Sequence, residues 1–162
     1  MRKENVFLWR FLSDALATRI NLSKKGIPLQ SMACIFYDNS VETFDHRFFS
    51  CSSVSSLWRK IWAWWGLKSP MFSSVDMFKK TIQKMSQNRR WGNVFFVVCA
   101  VAIWQLWKWR NVILFAKGDD VAKKKSEDPF LVIQNLSKLW ISNRKHNLKI
   151  NWDNWCVFPF FV

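Results

Sequence analysis

Residues 34–51 read CIFYDNSVETFDHRFFSC, and the fold of the first third of the chain turns on them. His46 and Cys51 stand at H-x4-C spacing, and Cys34 sits where a C-x2-C pair would begin. Thiolate and imidazole are ligands that zinc favours, and a structural site takes four of them in a tetrahedron. The second member of the pair is missing, because Tyr37 stands in its place. Deprotonating a phenol at neutral pH costs about 4 kcal/mol, against about 2 kcal/mol for a thiol. A phenolate oxygen is also a harder ligand than the rest of the set selects. Three outcomes stay open: zinc held by Cys34, His46 and Cys51 with a water or Asp38 in the fourth place, zinc held only weakly, or no zinc and three ordinary packed side chains. A full structural site contributes about 10–16 kcal/mol, so losing one thiolate weakens it and still leaves measurable affinity.

Outward from this stretch the chain reads as helices. Thr43 is placed to cap a helix over 44–51 with His46 in its first turn, and 28–39 loses all periodicity and reads as the loop that carries Cys34. Upstream, Leu8, Trp9, Leu12 and Leu16 recur at helical spacing over 6–16, with Asn5 as the expected cap. Thr18 then caps a short helix through Asn21 and Lys25 that Gly26 ends. Downstream, 54–65 carries Leu57, Ile61 and Trp64 on one face and Trp58, Trp62 and Trp65 on the next, closed by Gly66.

The pattern predicts a mainly α fold with little or no β: a small helical module at 1–67, a linker at 68–74 marked by Pro70 and serines, and a helical segment at 75–117. That segment holds a helix at about 75–85 and a long apolar one at about 91–115. A polar, lysine-rich linker at 118–128 follows, then 129–162 with a helix over 129–144 and an aromatic tail of Trp152, Trp155, Phe158, Phe160 and Phe161. No internal repeat is visible.

Composition narrows the function. Half the residues are apolar and 12 are tryptophan, which excludes a disordered tail. A net charge of +14 biases the chain toward polyanions, and between Asp76 and Asp119 basic residues accumulate with no acid among them. Four cysteines with no hydrophobic leader predict reduced thiols, an intracellular protein of nucleus or cytoplasm, and no secretion. The apolar run that begins at Val94 and ends at Trp107 is about 21 Å long as a helix, short of a hydrocarbon core of about 30 Å, so a buried helix is expected and a membrane partner is not. Cys99 and Cys156 read as buried thiols. Asp119 and Asp120 lie in a polar linker rather than an apolar hairpin, so no carboxylate cluster for two-metal chemistry is expected, and no small-molecule substrate.

The string Phe7-Leu8-Trp9-Arg10, then Leu16, Thr18, Asn21-Leu22 and Lys25-Gly26-Ile27, then Cys34, Glu42-Thr43, Asp45-His46, Phe48-Phe49-Ser50-Cys51 and Trp58, resembles the zinc-binding, zinc-knuckle-like module of plant LINE-type (non-LTR) retrotransposon reverse transcriptases. The resemblance covers about 7–67. More weakly, Ile103-Trp104, Leu106-Trp107-Lys108, Arg110-Asn111 and Phe115 resemble the segment that follows the module in those polyproteins. Trp140, Trp152, Trp155 and Pro159 resemble the stretch leading toward a ribonuclease H-like domain. Ala17, where proline is usual, and Tyr37 depart from the pattern.

The resemblance implies zinc ligands at Cys34, His46 and Cys51, and a non-catalytic fragment of a reverse transcriptase polyprotein that binds RNA or DNA. Lys24, Lys25, Arg59, Lys60, Lys79, Lys80, Arg89 and Arg90 are the expected phosphate contacts. Two other readings stand beside it. One is a structural protein that meets a partner or a second copy through the apolar helix from Val94 to Trp107; the other is a decayed transposon remnant without selected function.

Overall fold

The computed structural model describes residues 3–36, 40–68, 72–86, 89–144, 150–157 and 159. Among them the fold is mainly α, and the only β feature is a single antiparallel bridge between Ala33 and Val41. In chain order the helices are α1 (Lys3–Leu12), α2 (Arg19–Lys24), α3 (Ser52–Trp64), α4 (Val75–Ser86), α5 (Arg89–Phe115), α6 (Asp120–Ser126), α7 (Phe130–Arg144) and α8 (Trp152–Val157). A π-helical turn, His46–Ser50, precedes α3.

Helix ends follow local chemistry that the apolar period does not carry. Asn5 lies inside α1 rather than capping it, and α1 stops at Leu12, short of Leu16. The stop is a Schellman motif: Ala15 N–H reaches Arg10 C=O at 2.7 Å and Asp14 N–H reaches Phe11 C=O at 3.1 Å. Asp14 takes the left-handed conformation there (φ 49°), a position aspartate tolerates better than most residues, and its carboxylate accepts from Asn21 Nδ2 at 2.7 Å. Thr18 caps α2 as its sequence predicts, with Oγ1 accepting from Asn21 N–H at 3.3 Å. Gly66, at φ 58°, ends α3 through the bond from Leu67 N–H to Trp62 C=O at 3.0 Å.

The stretch 118–128 holds α6 and is not irregular throughout. Asp120 in its first turn and Lys123, Lys124 and Lys125 in its last complement the helix dipole, so a charge run that reads as a solvated linker is also a short helix.

The α5 helix is the axis of the molecule. Phe95, Val98, Cys99, Val101, Ala102, Ile103 and Leu106 are wholly enclosed, while Phe96, Val97, Ala100, Trp104 and Trp107 are half-buried. The stretch from Val94 to Trp107 therefore builds the core more than it offers a free face. At 27 residues α5 runs about 40 Å, so the shorter apolar run understates it. By length and composition it could cross a membrane, and here its long core-facing side packs against α1, α4, α6 and α7.

Aromatic rings fill the space around the first helices. Phe11 meets Phe48 edge-on at 4.9 Å and Phe78 at 5.7 Å, and Trp58 meets Phe72 at 5.0 Å, all in the T-shaped geometry that ring quadrupoles favour. Residues 69–71, with Pro70, lie outside the described residues, and the core takes side chains from both sides of that segment. The tail is tied in by indoles: Trp64 Nε1 donates to Trp155 C=O at 2.6 Å, and Trp155 Nε1 donates to Gln134 C=O at 2.9 Å. Phe158, Phe160 and Phe161 lie outside the described residues.

Candidate metal centre

The loop that carries Cys34 is pinned by the Ala33–Val41 bridge. Cys34 N–H donates to Ser40 C=O at 2.6 Å, and Glu42 N–H donates to Met32 C=O at 2.9 Å. Thr43 Oγ1 then accepts from His46 N–H at 3.0 Å, which starts the turn where the sequence places its cap. The turn is π and not α. In an α-helix, residues five apart lie about 140° apart around the axis, so His46 and Cys51 would diverge. The wider turn closes with Cys51 N–H on His46 C=O at 2.9 Å, and π-turns of this kind concentrate at functional sites.

The result is convergence of three potential ligands. The ligand atoms of Cys34, His46 and Cys51 all lie within 4.8 Å of one another, and the two sulfurs are 4.0 Å apart. Two thiolates at about 2.3 Å from a tetrahedral zinc sit about 3.8 Å apart, so the spacing needs almost no adjustment. His46 Nε2 is buried without a hydrogen-bond partner, although a buried polar atom is normally satisfied. These three groups fit a metal ion. Tyr37 and Asp38 lie outside the described residues.

The electrostatics show what a metal must overcome. The Cys51 thiol is pushed far above its ordinary value, first by the hydrogen bond it shares with Cys34, then by burial, then by the Cys34 charge. The amides of Ser53 and Val54 in the first turn of α3 pull the other way. Beside the thiols lies Arg47, wholly buried, with Nη2 donating to Leu106 C=O and Cζ 4.9 Å from the Phe36 ring centroid. Its Nε and Nη1 have no partner, and burial lowers its pKa to about 10 against the opposing pull of Glu42, Cys51 and Cys34.

Sequence reading missed Arg47, and it missed the ion pair of Glu42 with Arg110 Nη2 at 2.7 Å, in which both side chains are enclosed. Glu42 Oε1 also accepts from Arg19 N–H at 3.1 Å. A signal for the pair existed: Glu42 and Arg110 each belong to a motif quoted above, 68 residues apart.

The basic residues expected to meet phosphate are spread over four helices and not gathered at the thiols. Lys24 and Lys25 are exposed at the end of α2, Arg59 and Lys60 on α3, and Lys79 and Lys80 on α4. Lys60 pairs with Asp128, and Lys79 lies 3.8 Å from Asp76. Arg89 and Arg90 open α5. Asp119 and Asp120 are exposed at the start of α6. Cys99 is buried, whereas Cys156 is part-exposed on the short α8, which gives it less cover than its aromatic neighbours suggest.

Residues 1–58 match the family model described as zinc-binding in reverse transcriptase, a span that contains the three converging residues and stops before α4. No curated protein and no solved structure matches the chain.

Proposed function

We propose, from the match to a reverse-transcriptase zinc-binding segment, that the chain is a non-catalytic accessory module that binds RNA or DNA inside the cell. In this reading it derives from a LINE-type, non-LTR element of plants, and Cys34, His46 and Cys51 hold a structural zinc. The observation that carries the zinc is the buried Nε2 of His46, which lacks a partner beside two thiols 4.0 Å apart. With Tyr37 in the fourth ligand's place, water or Asp38 completes the tetrahedron and affinity falls below that of a full set. Bound zinc would fasten the Cys34 loop to the π-turn, and so hold the start of α3.

Nucleic-acid binding is supported by the charge of +14 and by Trp9, which is 63% exposed next to Arg10 and free to stack on an unpaired base. The match covers a zinc-binding segment and no catalytic one, which favours a role without chemistry.

Metal analysis of the purified protein is the test of the zinc. One equivalent is expected, lost in Cys51→Ser and held more tightly in Tyr37→Cys. A parent that takes up no zinc on reconstitution rejects the site. For nucleic acid, filter binding to a single strand should weaken steeply between about 50 and 200 mM salt. A flat profile, or no binding at the lower salt, rejects that part.

A protein-interaction role is the second reading, favoured by Phe115, Leu131 and Leu139, which are 77%, 58% and 53% exposed. Light scattering that finds a monomer at all concentrations counts against self-association through them.

A further inference from the structure

Phe115 ends α5 with 77% of its surface in water, although the opposite face of that helix builds the core. It does not stand alone. Lys108, Val112 and Phe115 follow one another at i, i+4 and i+7, so they form one outward stripe, and each is exposed. Beside the stripe an open cleft of about 390 Å³ lies between α5 and α7, with Trp109 and Val112 on one wall and Pro129 and Val132 on the other. A cavity of about 150 Å³ already takes benzene, so this cleft admits a phenyl ring.

The cleft is held in shape by its own neighbours. Trp109 Nε1 donates to Lys124 C=O at 2.7 Å, which ties α6 to α5, and its ring meets Phe36 edge-on at 4.4 Å. Trp109 is therefore a fixed apolar wall, while Val112 and Val132 keep almost half of their surfaces open to a visitor. Glu127 and Asp128 stand at the rim with their side chains half-exposed. Glu127 Oε1 accepts from Lys124 at 2.6 Å and Asp128 accepts from Lys60, and each carboxylate keeps further acceptor capacity.

Charge and geometry both point to what covers this face. Residues 112–132 carry four lysines and four acids and are net neutral, so the whole +14 of the chain lies outside them. Two copies of so basic a protein repel over most of their surfaces, and least where they meet through this segment. A neutral apolar patch also offers a polyanion little. Along α5, Phe115 lies about 4.5 Å beyond Val112 and Trp109 about 4.5 Å before it. Two α5 helices that cross antiparallel at Val112 therefore bring Phe115 of each over Trp109 of the other. Such a contact is self-complementary, residue i meeting j while j meets i, and it closes at two copies. Lys117, two residues past Phe115, travels with the ring toward the carboxylates on the other copy's rim.

We propose that a second copy of this chain docks on the α5–α7 face, Phe115 of each copy entering the cleft of the other about a two-fold axis at Val112. The proposal rests on the protein-interaction reading above and gives it an occupant, an axis and a salt dependence. Screening relieves the mutual repulsion of two +14 chains, so the dimer tightens as salt rises. Binding to a polyanion weakens under the same change.

The test is sedimentation velocity of the nuclease-treated full chain across a range of concentrations, at about 50 and 500 mM salt. A concentration-dependent dimer is expected, tighter at the higher salt. Phe115→Ser should cost about tenfold at each contact, and since the dimer holds the contact twice, its dissociation constant should rise about a hundredfold. Phe115 lies outside the core, so the melting temperature of the dilute variant should match the parent's, which separates lost docking from lost fold. Leu139→Ser, seven residues past Val132 on α7 and outside the cleft, should leave the dimer intact. A residue on a two-fold axis meets its own copy, so Val112→Cys in a Cys156→Ser background should join two chains through a disulfide when oxidised glutathione accepts the electrons. A dimer that survives Phe115→Ser, or one that Leu139→Ser abolishes as fully, overturns this docking and leaves self-association by another face standing. Association that weakens with salt, or no cross-link at Val112→Cys, also overturns it. A monomer under every condition overturns the docking and self-association together.

Discussion

Cys99 is wholly enclosed in α5, and burial pushes its thiol well above the ordinary 9.0. Below that value both folded and unfolded chains keep the proton, and the group leaves stability independent of pH. Above it the unfolded chain releases a proton that the folded chain retains, so stability falls by about 1.4 kcal/mol per pH unit from this one thiol. Urea unfolding of the parent and of Cys99→Ala at pH 8, 9 and 10 measures the effect. The substitution carries a cavity cost that does not vary with pH, so the parent's advantage should shrink as pH rises, and parallel curves would refute the assignment. At this scale the sequence was legible where chemistry is local. Cys34, His46 and Cys51 could be picked out by spacing and residue type, and they converge. Arg47 and Glu42 could not, since what gives each its character is a neighbour far along the chain: Leu106 for Arg47 and Arg110 for Glu42.

Between elements, the Glu42–Arg110 pair joins the segment after the Cys34 loop to the last turns of α5. Both charges are enclosed, so taking one away leaves the other desolvated and alone, at a cost of about 3–5 kcal/mol. Glu42→Leu and Arg110→Met should each lower stability by that order in urea titrations. The double substitution should recover much of the loss, although Arg19 N–H would still lack the carboxylate that now accepts from it. Additive losses in the cycle would show that the pair is not coupled. Apolar period fixed the bodies of α3, α4, α5 and α7 well, because each has a face to bury. Their boundaries were less legible, since a stop such as Asp14 depends on a left-handed residue stabilised by a bond from Asn21, not on hydrophobicity. The π-turn was hidden for a related reason: H-x4-C spacing names the ligands but not the backbone that brings them together.

At the scale of the whole molecule, side chains from Phe7 to Trp155 enter one continuous core, and the segment that matches the zinc-binding family contributes only part of it. Arg47 reaches α5 and Glu42 reaches Arg110, so the metal centre leans on helices beyond the matched span. The farthest support is Trp155, enclosed on α8, edge-on to Trp64 at 5.1 Å and to Trp65 at 6.3 Å. Trp155→Ala removes that ring and leaves the Trp64 and Trp65 faces over a cavity, a loss of about 3–5 kcal/mol. If the core is one cooperative unit, the loss is shared by the distant thiols. Metal-free parent and variant can be unfolded in urea and followed both by tryptophan fluorescence and by the reactivity of Cys34 and Cys51. The two midpoints should coincide in each protein and fall together on substitution. A thiol midpoint that stays put while the fluorescence midpoint falls would mean that the first third folds by itself, and that the later helices are cargo rather than scaffold for the candidate site.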